Sequence, residues 1–559
     1  MLLVATACTN QSAGGGTNGA SPSPEPSAPS TEPPLATGLA ARLACSIPTQ
    51  WLLRIWRGYD PERSADVQIL PRVPNFVGAG LPHVGPWDFT SDVPMFWYGP
   101  GHIKPIGPVQ KPVTSADITA TFANLLGSNF EAPDGAPMLD GLVPVEDRGE
   151  PPRLIVMMIW DGAGRDVLDE WPDAWPNLAD LRPDGAWYDN AVVGSSPTSS
   201  AQIHATLGTG AFPRHHEVVG HSIRIDGQIV SPWKDGPKEL TLPTFADHYD
   251  AEMGNQPLIG LAGTVPLQLG MMSHGAYLEG GDNDLAVLRV PGNATTLGAE
   301  GVVWNLPEGW NQWYSYPDYA NDLPALDTYF DDVRLDERDG QRDGAWRGHP
   351  YEDSEELLDG FHTPARIPYQ TRLVEEIISR EGFGADDTPD LLFVNYKLID
   401  TLGHLFGMQD PTVGDTVAVQ DEELGAFVDF LNRQVGENRW VVLVTADHGS
   451  LKSAETTGAF QISSERLHDS IQEEFDADGD DVPVIEQVKQ TEIFMNVPEL
   501  EEQGRTLEEV SEFIMGLRQE QLSIPGLPVP DPTGKVFQVA FPARVLTQRL
   551  SCLPQSGTP

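Results

Sequence analysis

Asp400 and His404 stand four residues apart in "KLIDTLGHLFG". On a helical turn that spacing puts a carboxylate and an imidazole on one face, where both can hold one cation. Asp447 and His448 are neighbours in "ADHG". At a strand end a bent backbone can aim both at a second ion. Asp161, in Asp161-Gly162, adds a further carboxylate. Carboxylate plus imidazole suits zinc, and also admits manganese or iron. Between Asp161 and Asp400 lies a Ser/Thr-rich stretch, "SSPTSSAQIHATLGTGAFPRHH" (Ser195–His216).

Such a site needs rigid elements to hold its ligands. Leu154–Trp160, "LIVMMIW", is continuously apolar after Pro151-Pro152 and ends in Asp161. That pattern suits a strand buried on both faces of a parallel sheet. "LLFVNY" (Leu391–Tyr396) leads into the Asp400 motif, and "WVVLVT" (Trp440–Thr445) into "ADHG". Before the last strand, Leu424, Phe427, Val428, Leu431 and Val435 form a helix-period stripe closed by Gly436. Strands alternating with amphipathic helices predict an α/β fold with a mainly parallel sheet. In such sheets ligand sites gather at the carboxyl ends of strands, and all three strands end close to metal-ligand residues.

The 559 residues include 34 basic and 82 acidic side chains, a net charge of −48. A surface so acidic repels nucleic-acid backbones and anionic lipid and lacks the basic stripe of a polyanion binder, which argues against duplex binding and reads as a solvated, soluble surface. No apolar run is long enough to span a bilayer. Residues 1–8, "MLLVATAC", resemble the tail of a bacterial lipoprotein signal with Cys8 as the lipidated residue. Residues 9–44 are read as a flexible tether, rich in Gly, Ser, Pro and Thr up to about Leu35. Tether and anchor predict an extracytoplasmic domain at a bacterial surface, touching membrane only through its lipid. Cys45 and Cys552 remain; outside the cell they read as a disulfide joining the domain's two ends, or as two unrelated buried thiols.

The order of Asp161-Gly162, the Ser/Thr stretch, D-x-x-G-H and "ADHG" resembles the alkaline phosphatase superfamily, closest to its type I phosphodiesterase/nucleotide pyrophosphatase branch. The resemblance implies a three-layer α/β/α sandwich. That branch places its nucleophile four residues before a His, followed by T-G and P-x-x-H. Here His204 marks Ser200, with Thr209-Gly210 and Pro213 through His216 following; Ser199 and Thr198 stand close by.

The family needs one more His, normally far downstream of D-H-G. Downstream here there is only His468, beside a helical stripe of Leu467, Ile471 and Phe475. The matching stretch lies near the front instead: "LPHVGPWDFTSDVPMFWYGPG", with His83, Gly85, Asp88, Asp92 and Val93-Pro94 in register. "YDPERSADVQIL" (Tyr59–Leu70) precedes it, like a late family strand. "TSADITATFANLLG" (Thr114–Gly127) follows, where Ser115 can cap a helix with Ile118, Phe122, Leu125 and Leu126 facing the core. A circularly permuted single domain, 45–555, accounts for this. Residues 45–130 are then the family's C-terminal part, 131–153 a joining loop, and 154–555 the family's beginning and centre. "KVFQVAFPARVLTQ" (Lys535–Gln548) should lie beside "TQWLLRIW" (Thr49–Trp56). The strand before His83 should join the sheet of Leu154–Trp160.

The resemblance implies two zinc ions, one held by Asp400, His404 and His83, the other by Asp161, Asp447 and His448 with Ser200 as alkoxide. It implies hydrolysis of phosphodiesters or nucleotide pyrophosphates through a phosphoseryl intermediate. Monoesterases of the related type carry K-x-R after the nucleophile, whereas Leu258–Gly281 has no Lys or Arg; Lys397 or an inserted Arg could substitute. A monoesterase is the alternative within the superfamily. An inactive surface-binding protein is the alternative outside it. The acidic Asp476–Asp481, "DADGDD", reads as a solvated turn or a calcium loop.

Overall fold

Apolar runs that cannot face water on either side stack together in the middle of the molecule. The computed structural model describes residues 35–554 except 79, 234–235, 264–269, 290–303, 323–344, 347–348, 351–363, 365 and 477–481. Cys8, the tether before residue 35 and most of "DADGDD" lie outside the described residues.

The strands of the two largest sheets are β1 (Val67–Pro71), β2 (Met95–Tyr98), β3 (Gly107–Val109), β4 (Leu154–Trp160), β5 (Ala186–Tyr188), β6 (Ile259–Gly263), β7 (Asp284–Arg289), β8 (Trp304–Asn305), β9 (Tyr314–Ser315), β10 (Asp390–Tyr396), β11 (Trp440–Thr445), β12 (Ile485–Val488), β13 (Glu492–Met495) and β14 (Phe537–Pro542). Ten of them form one sheet, in the order β8-β7-β6-β10-β4-β11-β2-β5-β3, with β9 beside β7. β7, β6, β10, β4 and β11 run parallel, and every residue of β4, β10 and β11 is buried. Their registers coincide. Leu154 pairs with both Asp390 and Trp440, Trp160 with Tyr396, and Ile159 with Thr445. The residues that follow all three strands therefore emerge at one edge.

The principal helices are α1 (Leu39–Ala44), α2 (Thr49–Gly58), α3 (Asp117–Leu126), α4 (Ser200–Thr209), α5 (Phe245–Met253), α6 (Arg366–Ile377), α7 (Leu398–Phe406), α8 (Pro411–Leu431), α9 (Ser464–Phe475) and α10 (Leu507–Gly516). The pleat of β2 distributes side chains to both faces of the sheet. Trp97 meets Phe122 of α3, which in turn meets Phe245 of α5, whereas Tyr98 packs on Trp440 and Phe96 on Trp187. The stripe from Leu424 to Val435 is buried, as its period requires.

Antiparallel β2 decides where His83 goes. Met95 pairs with Thr445 and Tyr98 with Val442, so β2 begins at the edge where β11 ends. The chain just upstream of β2 is thereby brought to the carboxyl ends of the parallel strands. The earlier strand, β1, behaves differently from expectation. It lies in a separate antiparallel sheet, β12-β13-β1-β14, not beside Leu154–Trp160. Its alternate side chains explain this. Val67 and Ile69 pack with Leu467, Ile471 and Ile514 of α9 and α10, while Leu70 packs with Leu52 and Ile55 of α2. A strand serving two cores of its own needs its own sheet.

Leu52 and Ile55 share that second cluster with Val539, Phe541 and Val545, so the Lys535–Gln548 stretch does lie against Thr49–Trp56. Cys45 and Cys552 are disulfide-bonded, with Cα atoms 5.8 Å apart. Two local expectations are corrected. The tether read as ending at residue 44 ends sooner: α1 is ordered, Ala36 and Ala44 are buried, and Ala36 N donates to Arg549 O. The apolar "LAARLA" forms a helix despite the composition before it. Ser115 is not the cap of α3; the Asp117 carboxylate accepts from Thr114 N at 2.6 Å, and Ser115 Oγ has no partner. Among the described residues no helix is long and apolar enough to cross a membrane.

Candidate metal centre

Asp161 follows β4 directly, and Asp400 N donates to its carbonyl at 3.1 Å. Gly162 makes this crossing close. Its φ is +73°, its N–H donates to Asp447 Oδ1 at 3.1 Å, and a Cβ there would sit 2.8 Å from Asp400 Cβ. α7 carries Asp400 in its first turn and His404 one turn later, with His404 Nε2 3.5 Å from Asp400 Oδ1. His404 Nδ1 accepts from Leu81 N, two residues from His83. The His83 ring lies edge-on to His404 (5.1 Å) and stacks on His448 (4.1 Å, 14° between planes). All of the expected ligands are thus brought together, and each except His404 is buried.

His83, Asp400 and His404 each offer an atom within 4.8 Å of the others, and so do Asp161, Asp400 and His448. His448 Nε2 lies 3.6 Å from Asp447 Oδ2 and 3.8 Å from both Asp161 Oδ1 and Asp400 Oδ1. Asp400 therefore reaches towards both sets. Four buried atoms in this cluster have no hydrogen-bond partner: His83 Nδ1, Asp400 Oδ1, Asp447 Oδ2 and His448 Nε2. Orphaned buried acceptors are costly unless a cation satisfies them. Divalent metals fit this donor set of imidazole nitrogens and carboxylate oxygens.

Charge reinforces the fit. Burial and the Asp447 carboxylate push Asp161 up to about 7. Burial also acts to raise Asp400, but Lys397, His404 and His448 outweigh it and hold Asp400 well below the ordinary carboxylate range. Burial drives His83 far down towards the neutral ring that a metal requires, and the neighbouring His448 adds to the shift. Lys397 Nζ lies 2.6 Å from both Asp161 Oδ1 and Asp400 Oδ2. Burial works against its charge, but Asp161 and Asp400 keep it protonated.

Three hydroxyls compete at the start of α4. Thr198 Oγ1 donates to His83 O at 2.6 Å and accepts from Gly85 N, so it ties the two segments together. Ser199 Oγ donates to Gln202 Oε1. Ser200 Oγ instead faces the cluster, 3.4 Å from Lys397 Nζ.

His204 also approaches Asp161 and Asp447. Both its ring nitrogens are engaged: Nδ1 lies 2.7 Å from Ser200 O, and Nε2 accepts from Asn395 Nδ2 at 3.1 Å. Asn395 Nδ2 also donates to Asp161 Oδ2. Sequence reading missed this pair as supports. The available signal was one amide inside the otherwise apolar "LLFVNY". His468 sits on α9 beside Asp469, and no candidate metal cluster among the described residues includes it.

Residues 155–527 match the profile of the type I phosphodiesterase / nucleotide pyrophosphatase family. The chain belongs to this family. Both halves of the family's name denote cleavage of phosphoric ester or anhydride bonds. His83 lies outside the span matched. Similar curated proteins include a "Calcium-transporting ATPase" of Myroides odoratus, 23% identical over 339 residues covering 54% of this chain and 60% of that protein. Alkaline phosphatase PhoV of Synechococcus elongatus is 20% identical over 350 residues, covering 54% and 59%. The chain thus spans about three fifths of the length of these relatives. The crystal structure of wild-type alkaline phosphatase PafA aligns with 70% of this chain and 84% of its own at a TM-score of 0.51 and 18% identity. The two share a fold: a mixed α/β architecture around a large, mostly parallel sheet.

Proposed function

We propose that this family member is a two-metal phosphohydrolase that cleaves phosphodiester or nucleotide pyrophosphate bonds through a covalent intermediate on Ser200. The observation that carries the reading is the convergence of four orphaned buried ligand atoms, from His83, Asp400, Asp447 and His448, beside the Ser200 hydroxyl, which accepts from Lys397 Nζ. His83, Asp400 and His404 would hold one ion, and Asp161, Asp447 and His448 the other. When bound, such ions supply Lewis acidity that lowers a hydroxyl pKa and offsets charge on a phosphoryl group.

Ser200 Oγ gives up its proton to solvent and forms the bond to phosphorus as the ester or anhydride bond breaks, and the departing oxygen takes a proton from solvent. Water then cleaves the phosphoseryl ester and restores the hydroxyl. Ser200 is the residue suited to this because Thr198 and Ser199 have partners of their own. Its place at the start of α4 would set the helix's positive end beside the phosphoryl oxygens. The decisive experiment is a panel of bis-p-nitrophenyl phosphate and p-nitrophenyl phosphate with metal-loaded enzyme. Higher kcat/KM on the diester supports this reading, and a clear preference for the monoester refutes it.

A second reading, phosphomonoesterase, is favoured by Lys397, whose ammonium stands 3.4 Å from Ser200 Oγ and could pair with a dianionic phosphate. The same panel separates the two. An inactive binding protein would be expected to lack ligands, and each expected ligand is present.

We also read the chain as circularly permuted. The family profile begins one residue into β4, a preceding segment supplies His83 and β2, and a disulfide joins the two ends. A gene with residues 45–130 moved behind residue 552 should fold and retain two metals; an unfolded product would count against permutation. Lipid attachment at Cys8 and display outside the cell complete the proposal, and palmitate labelling of wild type against Cys8→Ala tests the anchor.

A further inference from the structure

A second group of carboxylates lies at the other edge of the main sheet. Asp284 opens β7, which runs parallel to β6, β10 and β4, so it stands at the amino edge, opposite the metal centre. Asp282 comes from the loop just before it, and Asp250 from α5. One oxygen of each acid lies within 4.8 Å of the other two. A cavity of about 210 Å³ opens on them, with Asp250, Asp284, Leu278 and Gly281 in its wall. The two segments are held together. Asn255 N donates to Asp250 O at 2.9 Å and Asn255 Nδ2 to Gly280 O at 3.0 Å, so the end of α5 grips the loop that carries Asp282.

Asp250 is 4% exposed and Asp284 6%, and a carboxylate taken out of water needs partners. Asp250 Oδ1 has none: it is buried and accepts no hydrogen bond. Asp284 is better served, since Ser273 Oγ donates to its Oδ2 and the Gly275 N–H favours its charge. Asp247, a further acid on the cavity wall, is turned to other use. Its Oδ1 accepts from His274 N at 2.8 Å, and its Oδ2 lies 2.6 Å from both Thr244 N and His274 Nδ1. The charges that act most on Asp250 and Asp284 are those of other carboxylates, Asp247 and Asp282 among them. Among the described residues no Lys or Arg forms an ion pair with any of the three acids.

We propose that Asp250, Asp282 and Asp284 bind one calcium ion, which ties α5 to the start of β7. The ion gives Asp250 Oδ1 the positive partner that the chain does not supply. No imidazole or thiolate belongs to this group, unlike the metal centre, and donors that are all oxygen suit a hard cation. Calcium fits better than magnesium. Three acids from two segments do not impose a strict octahedron, and the cavity leaves room for the waters that complete a larger shell. The role is structural, and the inference stands whether or not Ser200 is the nucleophile. The rival arrangement is a proton shared between Asp250 and Asp282, whose side chains stand within hydrogen-bonding reach of each other.

The test is a calorimetric titration of the full-length, zinc-loaded protein with calcium chloride, as wild type, Asp282→Asn and Asp250→Asn. Wild type should take up one equivalent of calcium with a Kd of about 1 mM or tighter. Calcium should also raise its thermal unfolding midpoint, because the ion binds the folded chain alone. Asp282 is exposed, so Asp282→Asn buries no new group and should fold as wild type does. It should bind calcium about tenfold or more weakly and lose most of the midpoint shift, because affinity follows the number of charged ligands. Asp250→Asn should lose the ion in the same way. Should that variant fail to fold, Asp282→Asn decides alone. A wild type that takes up no calcium at millimolar concentration overturns the site and assigns the acids to the shared proton. Equal calcium affinity in wild type and Asp282→Asn overturns it as well.

Discussion

The imidazole of His83 lies flat against that of His448, 4.1 Å away, although nearly two-thirds of the chain separates them. His448 closes the third parallel strand, and His83 arrives from the segment that leads into antiparallel β2. The contact joins two parts of the chain that no local pattern connects, and Thr198 locks it by bonding the His83 carbonyl.

His83→Ala should therefore lower metal content by close to one equivalent and cripple turnover, whereas His468→Ala should change neither. Elemental analysis of purified variants, with diester assays on the same samples, checks this. A His83→Ala enzyme with two metals and full activity would exclude His83 as a ligand.

Ser200→Ala should abolish turnover while the metal content stays at that of wild type, because a single ligand to a single ion is lost. Full activity in that variant would move the nucleophile to Ser199 or Thr198, and trapping a phosphorylated peptide by mass spectrometry would say which.

Gly162→Ala should impair the site without touching a ligand. The new methyl group would have to push Asp400 aside, in a backbone region that alanine rarely adopts. A tenfold or greater loss of kcat/KM is the expected result, in line with what small displacements of catalytic groups cost. Unchanged kinetics would mean that Asp400 can retreat freely.

The Cys45–Cys552 bridge closes a very long loop and ties α1 to the chain's end. Reducing it should lower the unfolding free energy by at most about 5 kcal/mol without affecting activity. Thiol titration before and after unfolding, with denaturation midpoints, checks both points.

His216 gives stability a pH dependence. Burial lowers its pKa from 6.5 to about 3, with Nδ1 accepting from Val218 N and Nε2 bonded to Thr206 Oγ1. Its neutral form is the native one, so its contribution is complete above the unfolded pKa of 6.5. It is lost as pH falls towards about 3. The slope is up to about 1.4 kcal/mol per pH unit. Urea unfolding at pH 7 and pH 5 should show a loss for wild type that is about 2 kcal/mol larger than for His216→Gln.

Much of this architecture is legible in the residues themselves. Continuous apolar runs such as Leu154–Trp160 have no stable setting except a doubly covered parallel strand, and the acids and histidines that follow them must then meet at one edge. The i, i+4 spacing of Asp400 and His404 likewise leaves helical geometry little choice. What lay beyond the sequence is pairing between distant segments. Val67–Pro71 and Met95–Tyr98 are both short, apolar strands flanking His83, yet one builds a separate sheet and the other enters the main one. The difference lies in which faces find partners, and that depends on α2, α9 and α10, which are far away in the chain. The turn of the Ser200 hydroxyl towards Lys397 and the hold that Asn395, itself bonded to His204, has on Asp161 arise in the same way. Each depends on a hydrogen bond or a wall supplied by another element, and spacing along the chain carries no record of such contacts.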